Sequence, residues 1–276
     1  MEIRHAVHPD HAMRMNTSEL RKHFLIEDLF KKNAIKMVYS YYDRLIIGGV
    51  IPEKELKMDV DSAIIGTEQL LDRREIGVIN IGGPGVVSIS GEEIELDYKD
   101  GLYVGRGQKN LAFASFDKTK PAKFYFNCAS AQALYPTTKV TFETAEATHI
   151  GGSTNSSQRT IHKYFHPDGI KSCQLVMGVT SLDPGCVWNT MPTHIHARRM
   201  EAYLYFELLK EEIVMHFMGV PDETRHLVVR NEQVVPSPSW SIHAGAGTSN
   251  YTAVWGMVGE NQTFTDIDWV DMVALR

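Results

Sequence analysis

The stretch Thr193-His194-Ile195-His196-Ala197-Arg198-Arg199-Met200-Glu201-Ala202-Tyr203-Leu204-Tyr205-Phe206 decides how this chain is read. Successive side chains of an extended segment point to opposite faces, so His194 and His196 look the same way, about 7 Å apart at their Cα atoms. Both can reach one ion. Glu201 stands five residues beyond His196, an odd step that would turn it to the other face of an unbroken strand. The chain is therefore expected to bend or bulge between Ala197 and Met200. Beyond the bend Glu201, Tyr203 and Tyr205 share one face, and Ala202, Leu204 and Phe206 share the other. The first face is expected to line a cavity and the second to pack.

A second imidazole source follows in Pro238-Ser-Trp240-Ser-Ile-His243-Ala-Gly-Ala-Gly, which reads as a loop feeding a strand. A lone His-x-His is as readily a pair of surface or satisfied histidines. Glu201 at its fixed offset and His243 after Pro238 favour a ligand set instead. Neutral imidazoles and one carboxylate suit a first-row divalent cation and leave room in its shell for water or substrate. His194, His196, Glu201 and His243 are the expected ligands of one divalent ion per subunit.

These two segments resemble the paired motifs of the cupin superfamily, with Trp240 and Gly247 where that superfamily usually has Gly and Asn. A longer match narrows the resemblance. Val187 through Tyr203, Glu223-Thr-Arg-His226, Ser237 through Tyr251 and Arg159-Thr-Ile-His-Lys163-Tyr-Phe-His-Pro167 are similar to the 5-keto-4-deoxyuronate isomerases, over nearly the full chain. The resemblance implies an intramolecular oxidoreductase (a ketol-isomerase) of pectin and uronate breakdown, acting on a small keto-uronate. It further implies a homohexamer, and zinc, with no redox chemistry to compete, is the expected ion.

Composition agrees with a folded enzyme. A chain of 276 residues with 43% apolar residues can bury roughly three quarters of its unfolded surface. The net charge of -6 argues against a nucleic-acid partner, whose phosphates demand a basic face. No window approaches the ~18 apolar residues of a membrane span, and the start Met1-Glu-Ile-Arg-His5 lacks the pattern of a secretory leader. A cytoplasmic location is expected. Cys128, Cys173 and Cys186 are odd in number with no CxxC spacing, so neither a disulfide framework nor a thiolate zinc site is expected.

Short alternating segments separated by turn signals run through the chain, the mark of an all-β fold. Val86 through Leu96 reads as two strands about Ser90-Gly91. Segments beginning at Lys123, Lys139, Gln174, Glu212, His226 and Tyr251 continue the series. The main helix is expected over Ser18–Lys32, capped by Asn16 or Ser18. Together with the resemblance this predicts two cupin-like β-barrels with a few short helices. The halves are 1–150, with the N-terminal helix, and 151–276, divided at the linker-like Gly151–Ser157. No histidine lies between His23 and His149, so only the C-terminal barrel is expected to hold metal.

The implied substrate is an open-chain sugar acid with an aldehyde at carbon 1, a hydroxyl at carbon 2 and a ketone at carbon 5. Moving hydrogen between carbons 1 and 2, through an enediolate whose charge a divalent cation stabilises, gives a 2,5-diketo acid. The substrate carboxylate calls for a cation, and Arg159, Lys163, Arg198, Arg199 and Arg225 are available. Tyr205 is a candidate hydroxyl donor, and the base is left unassigned. Two alternatives stay open: an iron-dependent cupin dioxygenase, since the same ligands suit non-haem iron, and a non-catalytic sugar-acid-binding cupin.

Overall fold

A computed structural model describes residues 1–276. The fold is mostly β, as the alternation predicted, and it divides into two compact units whose segments interleave along the chain. One comprises Met1–Arg4, Asp28–Ala145 and Tyr164–Val176; the other comprises His5–Glu27, Glu146–Lys163 and Met177–Arg276. The N-terminal helix thus belongs with the second half. Gly151–Ser157, read as a linker, instead joins the antiparallel strands Glu146–Ile150 and Arg159–Phe165.

The first unit has a seven-stranded and a four-stranded sheet. Phe124–Ser130 lies between Ile46–Val50 and Arg74–Asn80, antiparallel to both. Ile76, Val78, Phe124 and Phe126 of the larger sheet and Val87, Ile89 and Phe113 of the smaller form one buried cluster. That cluster is the reason the two sheets face one another: each contributes the apolar side of its alternation. The Gly85–Ile89/Glu92–Leu96 hairpin turns at Ser90 (φ 51°) and Gly91 (φ 89°), two left-handed positions of the kind a tight hairpin turn demands.

The second unit pairs a six-stranded with a five-stranded sheet. In the six-stranded sheet Arg199–Phe206 runs between Thr252–Gly259 and Gln233–Ser237. In the five-stranded sheet His243–Gly247 runs between Val214–Val220 and Trp188–Ile195. Interior side chains meet across the gap, where the Tyr205 hydroxyl lies 2.7 Å from Nδ1 of fully buried His216.

The helix is shorter than expected. It spans Thr17–Phe24, with Asn16 and Glu19 forming a reciprocal capping box, and Leu25 is already extended. Ile26 then exchanges two backbone hydrogen bonds with Val234, at 2.8 and 3.0 Å. Leu25 and Ile26 satisfy their apolar character by burial at a sheet edge, which outcompetes another helical turn. The three cysteines are free thiols, and no helix is long and apolar enough to cross a membrane.

Candidate metal centre

The bend expected between His196 and Glu201 is a change of sheet. Trp188–Ile195 belongs to the five-stranded sheet and Arg199–Phe206 to the six-stranded one. The crossing carries Glu201 to the opposite wall, and that resets its parity. A second irregularity aims His194. Its strand pairs Asn189 with Gly245 and then His194 with His243, so five steps on one side oppose two on the other. The surplus residues leave the ladder, and Thr190, Met191 and Pro192 line the cavity; Thr190, held at φ 56°, donates from Oγ1 to the His243 carbonyl at 2.8 Å, and Thr193 Oγ1 does the same at 3.1 Å.

Three imidazoles converge as a result. His194 Nε2 lies 3.1 Å from His196 Nε2 and 3.0 Å from His243 Nε2. Glu201 Oε2 lies 3.4 Å from His196 Nε2 and 3.3 Å from His243 Nε2. All four residues are buried. A tetrahedral ion with bonds of ~2.0–2.1 Å has ligand–ligand edges of roughly 3.3–3.4 Å, and ligands at right angles sit about 2.9 Å apart. These four separations fall in that range; the three imidazoles form the compact group, with Glu201 against His196 and His243.

The donor set fits a cation on a second ground. The His243 ring is hydrogen-bonded to the backbone of Ser241, and His196 Nδ1 lies 3.2 Å from the Asp266 carbonyl. A ring nitrogen that donates to a carbonyl carries its hydrogen there and turns the lone pair of the other nitrogen toward the cluster. Glu201 Oε2 has no hydrogen-bond partner. Three ring nitrogens and a carboxylate oxygen packed this closely in a buried site have more lone pairs than hydrogens to share, and a cation would join them. Burial first, then the charges of His196, Arg199 and Arg159, lowers the pKa of His194 to about 3, and burial drives His243 well below its usual range. Those two rings are therefore neutral at pH 7, the form that binds metal.

The centre forms one wall of a cavity of about 440 Å³. Tyr203, Trp255, Phe264, Ile267 and Trp269 line other parts of it, and Arg159 is its one guanidinium. Tyr203 hydrogen-bonds to Glu201, and burial raises its pKa well above the usual phenol value. Tyr205 lies outside the lining, engaged with His216. Lys163 is also outside, paired with Glu146 Oε1 at 2.7 Å. Arg199 is 1% exposed and reaches behind His196, with Nη2 2.7 Å from the Asp266 carbonyl and 3.1 Å from His196 Nδ1. Arg198 forks onto Asp266 at 2.8 and 2.9 Å, and Arg225 pairs with Glu223. Sequence reasoning missed the 264–269 segment, which carries no motif beyond its aromatic and aliphatic residues.

The model of the KduI/IolB family matches residues 24–272. This chain belongs to that family. Two KduI/IolB relatives cover the chain and are themselves covered in full. The 4-deoxy-L-threo-5-hexosulose-uronate ketol-isomerase of Caldicellulosiruptor bescii is 53% identical over 276 residues. The protein of the same name from Enterobacter sp. (strain 638) is 50% identical over 279. Among solved structures, an iolb-like protein from Salmonella typhimurium LT2 aligns with a TM-score of 0.69 at 12% identity, covering 90% of this chain and 96% of its own. Lactobacillus farciminis oxalate decarboxylase aligns at 0.57 and 7% identity, covering 83% and 78%. These two likenesses are of fold alone, and they agree with the sheet pairs described above.

Proposed function

We propose that this KduI/IolB chain is a ketol-isomerase that converts 4-deoxy-L-threo-5-hexosulose uronate to 3-deoxy-D-glycero-2,5-hexodiulosonate. One observation carries the reading: three imidazole Nε2 atoms and a carboxylate oxygen, 3.0–3.4 Å apart, converge on a cavity in a chain 53% identical to an enzyme of that name. His194, His196, His243 and Glu201 hold one divalent cation, zinc suiting the imidazole-rich set and bringing no redox chemistry of its own. Bound there, the cation supplies electrostatic stabilisation of negative charge developing on two neighbouring substrate oxygens. Hexameric assembly is supported by the family resemblance.

The side chains supply position and proton control. The reaction takes a proton from carbon 2 and returns one to carbon 1, while the hydroxyl hydrogen passes from oxygen 2 to oxygen 1, so composition is unchanged. Glu201 is the one carboxylate lining the cavity, and Tyr203, bonded to it, keeps its proton at any working pH because burial raises its pKa. Tyr203 therefore acts as a fixed donor beside Glu201. Trp255, Phe264 and Ile267 wall the cavity with apolar surface, which limits water access and strengthens the polar contacts within.

The test is incubation with the keto-uronate in deuterated water, followed by NMR at carbons 1 and 2, with a chelator-treated sample in parallel. Chelator-sensitive formation of the diketo acid, with deuterium at carbon 1, is expected. No conversion by metal-replete protein would overturn the assignment.

A further inference from the structure

Arg198 has Asp266 and Asp268, Lys163 has Glu146 and Arg225 has Glu223. Arg199 keeps Nε and Nη1 without a hydrogen-bond partner, but it stands outside the cavity and feels the charges of Glu201 and Asp266. Arg159 lines the cavity and has no acidic partner. It is 9% exposed, and its single hydrogen bond runs from Nη1 to the Ser157 carbonyl at 2.7 Å. Its Nε is buried with nothing to receive it. The groups whose charges act on it are the phenols of Tyr251 and Tyr203, and burial lowers its pKa. An ionised group taken from water without a counter-charge destabilises a fold by several kcal/mol, so its retention at a cavity wall calls for an anion that arrives with the ligand.

We infer that Arg159 receives the carboxylate of the substrate and so determines which end of the molecule faces the imidazole cluster. The inference rests on the isomerase reading. Arg159 and His194 line the same cavity. An open six-carbon chain separates its reacting carbons from its carboxylate by roughly 6 Å, from ordinary carbon–carbon bond lengths. With its carboxylate on the guanidinium, such a ligand turns carbons 1 and 2 toward the imidazoles that line the same cavity. The fork is held in advance: Ser157 is 3% exposed, and its own Oγ bonds to Asn155 Oδ1 at 2.6 Å. A pre-positioned planar fork binds a carboxylate with little loss of rotamer freedom. A neutral sugar of the same length leaves the cation buried and unanswered, so the site rejects it.

Steady-state kinetics of wild type, Arg159→Gln and Arg159→Lys, on the keto-uronate and on its methyl ester, separate the roles. Wild type is expected to prefer the acid by about 100-fold, the scale of charge-assisted hydrogen bonds. R159Q is expected to lose that preference, chiefly through a raised KM for the acid with ester turnover kept within about 3-fold, and R159K to recover part of it. Equal loss on both compounds, or an unchanged preference in R159Q, would overturn the inference. Failure of wild type on the acid would instead count against the isomerase reading. Binding then decides for Arg159: 2-oxobutanoate copies the carboxylate end, and calorimetry is expected to give at least 10-fold weaker binding to metal-replete R159Q. Unchanged affinity there contradicts the assignment.

Discussion

His196 shows how much of the centre depends on atoms that never touch the ion. Its Nδ1 lies 3.2 Å from the Asp266 carbonyl and 3.1 Å from Arg199 Nη2, which itself donates to that carbonyl at 2.7 Å, so the guanidinium and the carbonyl together hold the ring. Arg199→Met is expected to weaken zinc binding 10–100-fold, the usual effect of losing a group that orients a metal-bound histidine. Competition with a chromophoric chelator measures it; wild-type affinity in the variant would show that Arg199 serves packing alone. The convergence of the imidazoles was legible in the sequence because His-x-His has a fixed geometric meaning in a strand. Arg199 was legible only as a charge, since nothing in Arg198-Arg199 tells which guanidinium turns inward. Tyr203 and Tyr205 were equally opaque: alternation put both on the right face, and only the depth of each along its strand separates the cavity group from the partner of His216.

At the scale of elements, the helix Thr17–Phe24 owes its start to the Asn16–Glu19 box, with Glu19 N donating to Asn16 Oδ1 at 3.0 Å. Asn16→Ala is expected to lower unfolding free energy by about 1 kcal/mol, read from urea melts, without altering metal content. The helix was legible at its cap and illegible at its end, because Leu25 and Ile26 fit a helical apolar stripe and a sheet edge equally well. The two sheets of the second unit are tied by Tyr205 and His216, whose pKa burial lowers to about 3. The unfolded chain titrates this residue near 6.5, so between those values the unfolded state binds more protons and stability falls as pH falls. The contribution is fully present above about pH 6.5 and drains away toward pH 3. His216→Asn is expected to flatten that slope by about one proton. An unchanged slope in pH-dependent urea melts would mean that His216 is already charged when folded.

In the second unit as a whole, the centre draws on both sheets: His194 and His243 come from the five-stranded sheet and Glu201 from the six-stranded one. A bound ion is therefore a cross-link between sheets, and it stabilises the folded state by mass action, about 4 kcal/mol when the free ion exceeds its Kd 1,000-fold. Chelation is expected to speed amide exchange in Trp188–Ile195, Arg199–Phe206 and His243–Gly247. Phe124–Ser130 of the first unit, which holds no imidazole cluster, is expected to exchange as before. Exchange that rises equally in both units would mean that the ion acts elsewhere. The all-β class and the placing of the imidazole cluster late in the chain were legible from alternation and from where histidines fall. The interleaving of segments between units was not, because a strand carries no mark of which sheet edge it will join.

The most direct test is a zinc titration of metal-free protein, with isomerase activity on the keto-uronate and bound metal by mass spectrometry measured on the same samples. Activity rising linearly with bound zinc to a plateau at one ion per chain, and failing to rise in Glu201→Gln or His243→Ala, is the predicted result. Full activity in protein shown to be free of metal, or a plateau reached unchanged in both variants, would contradict the account.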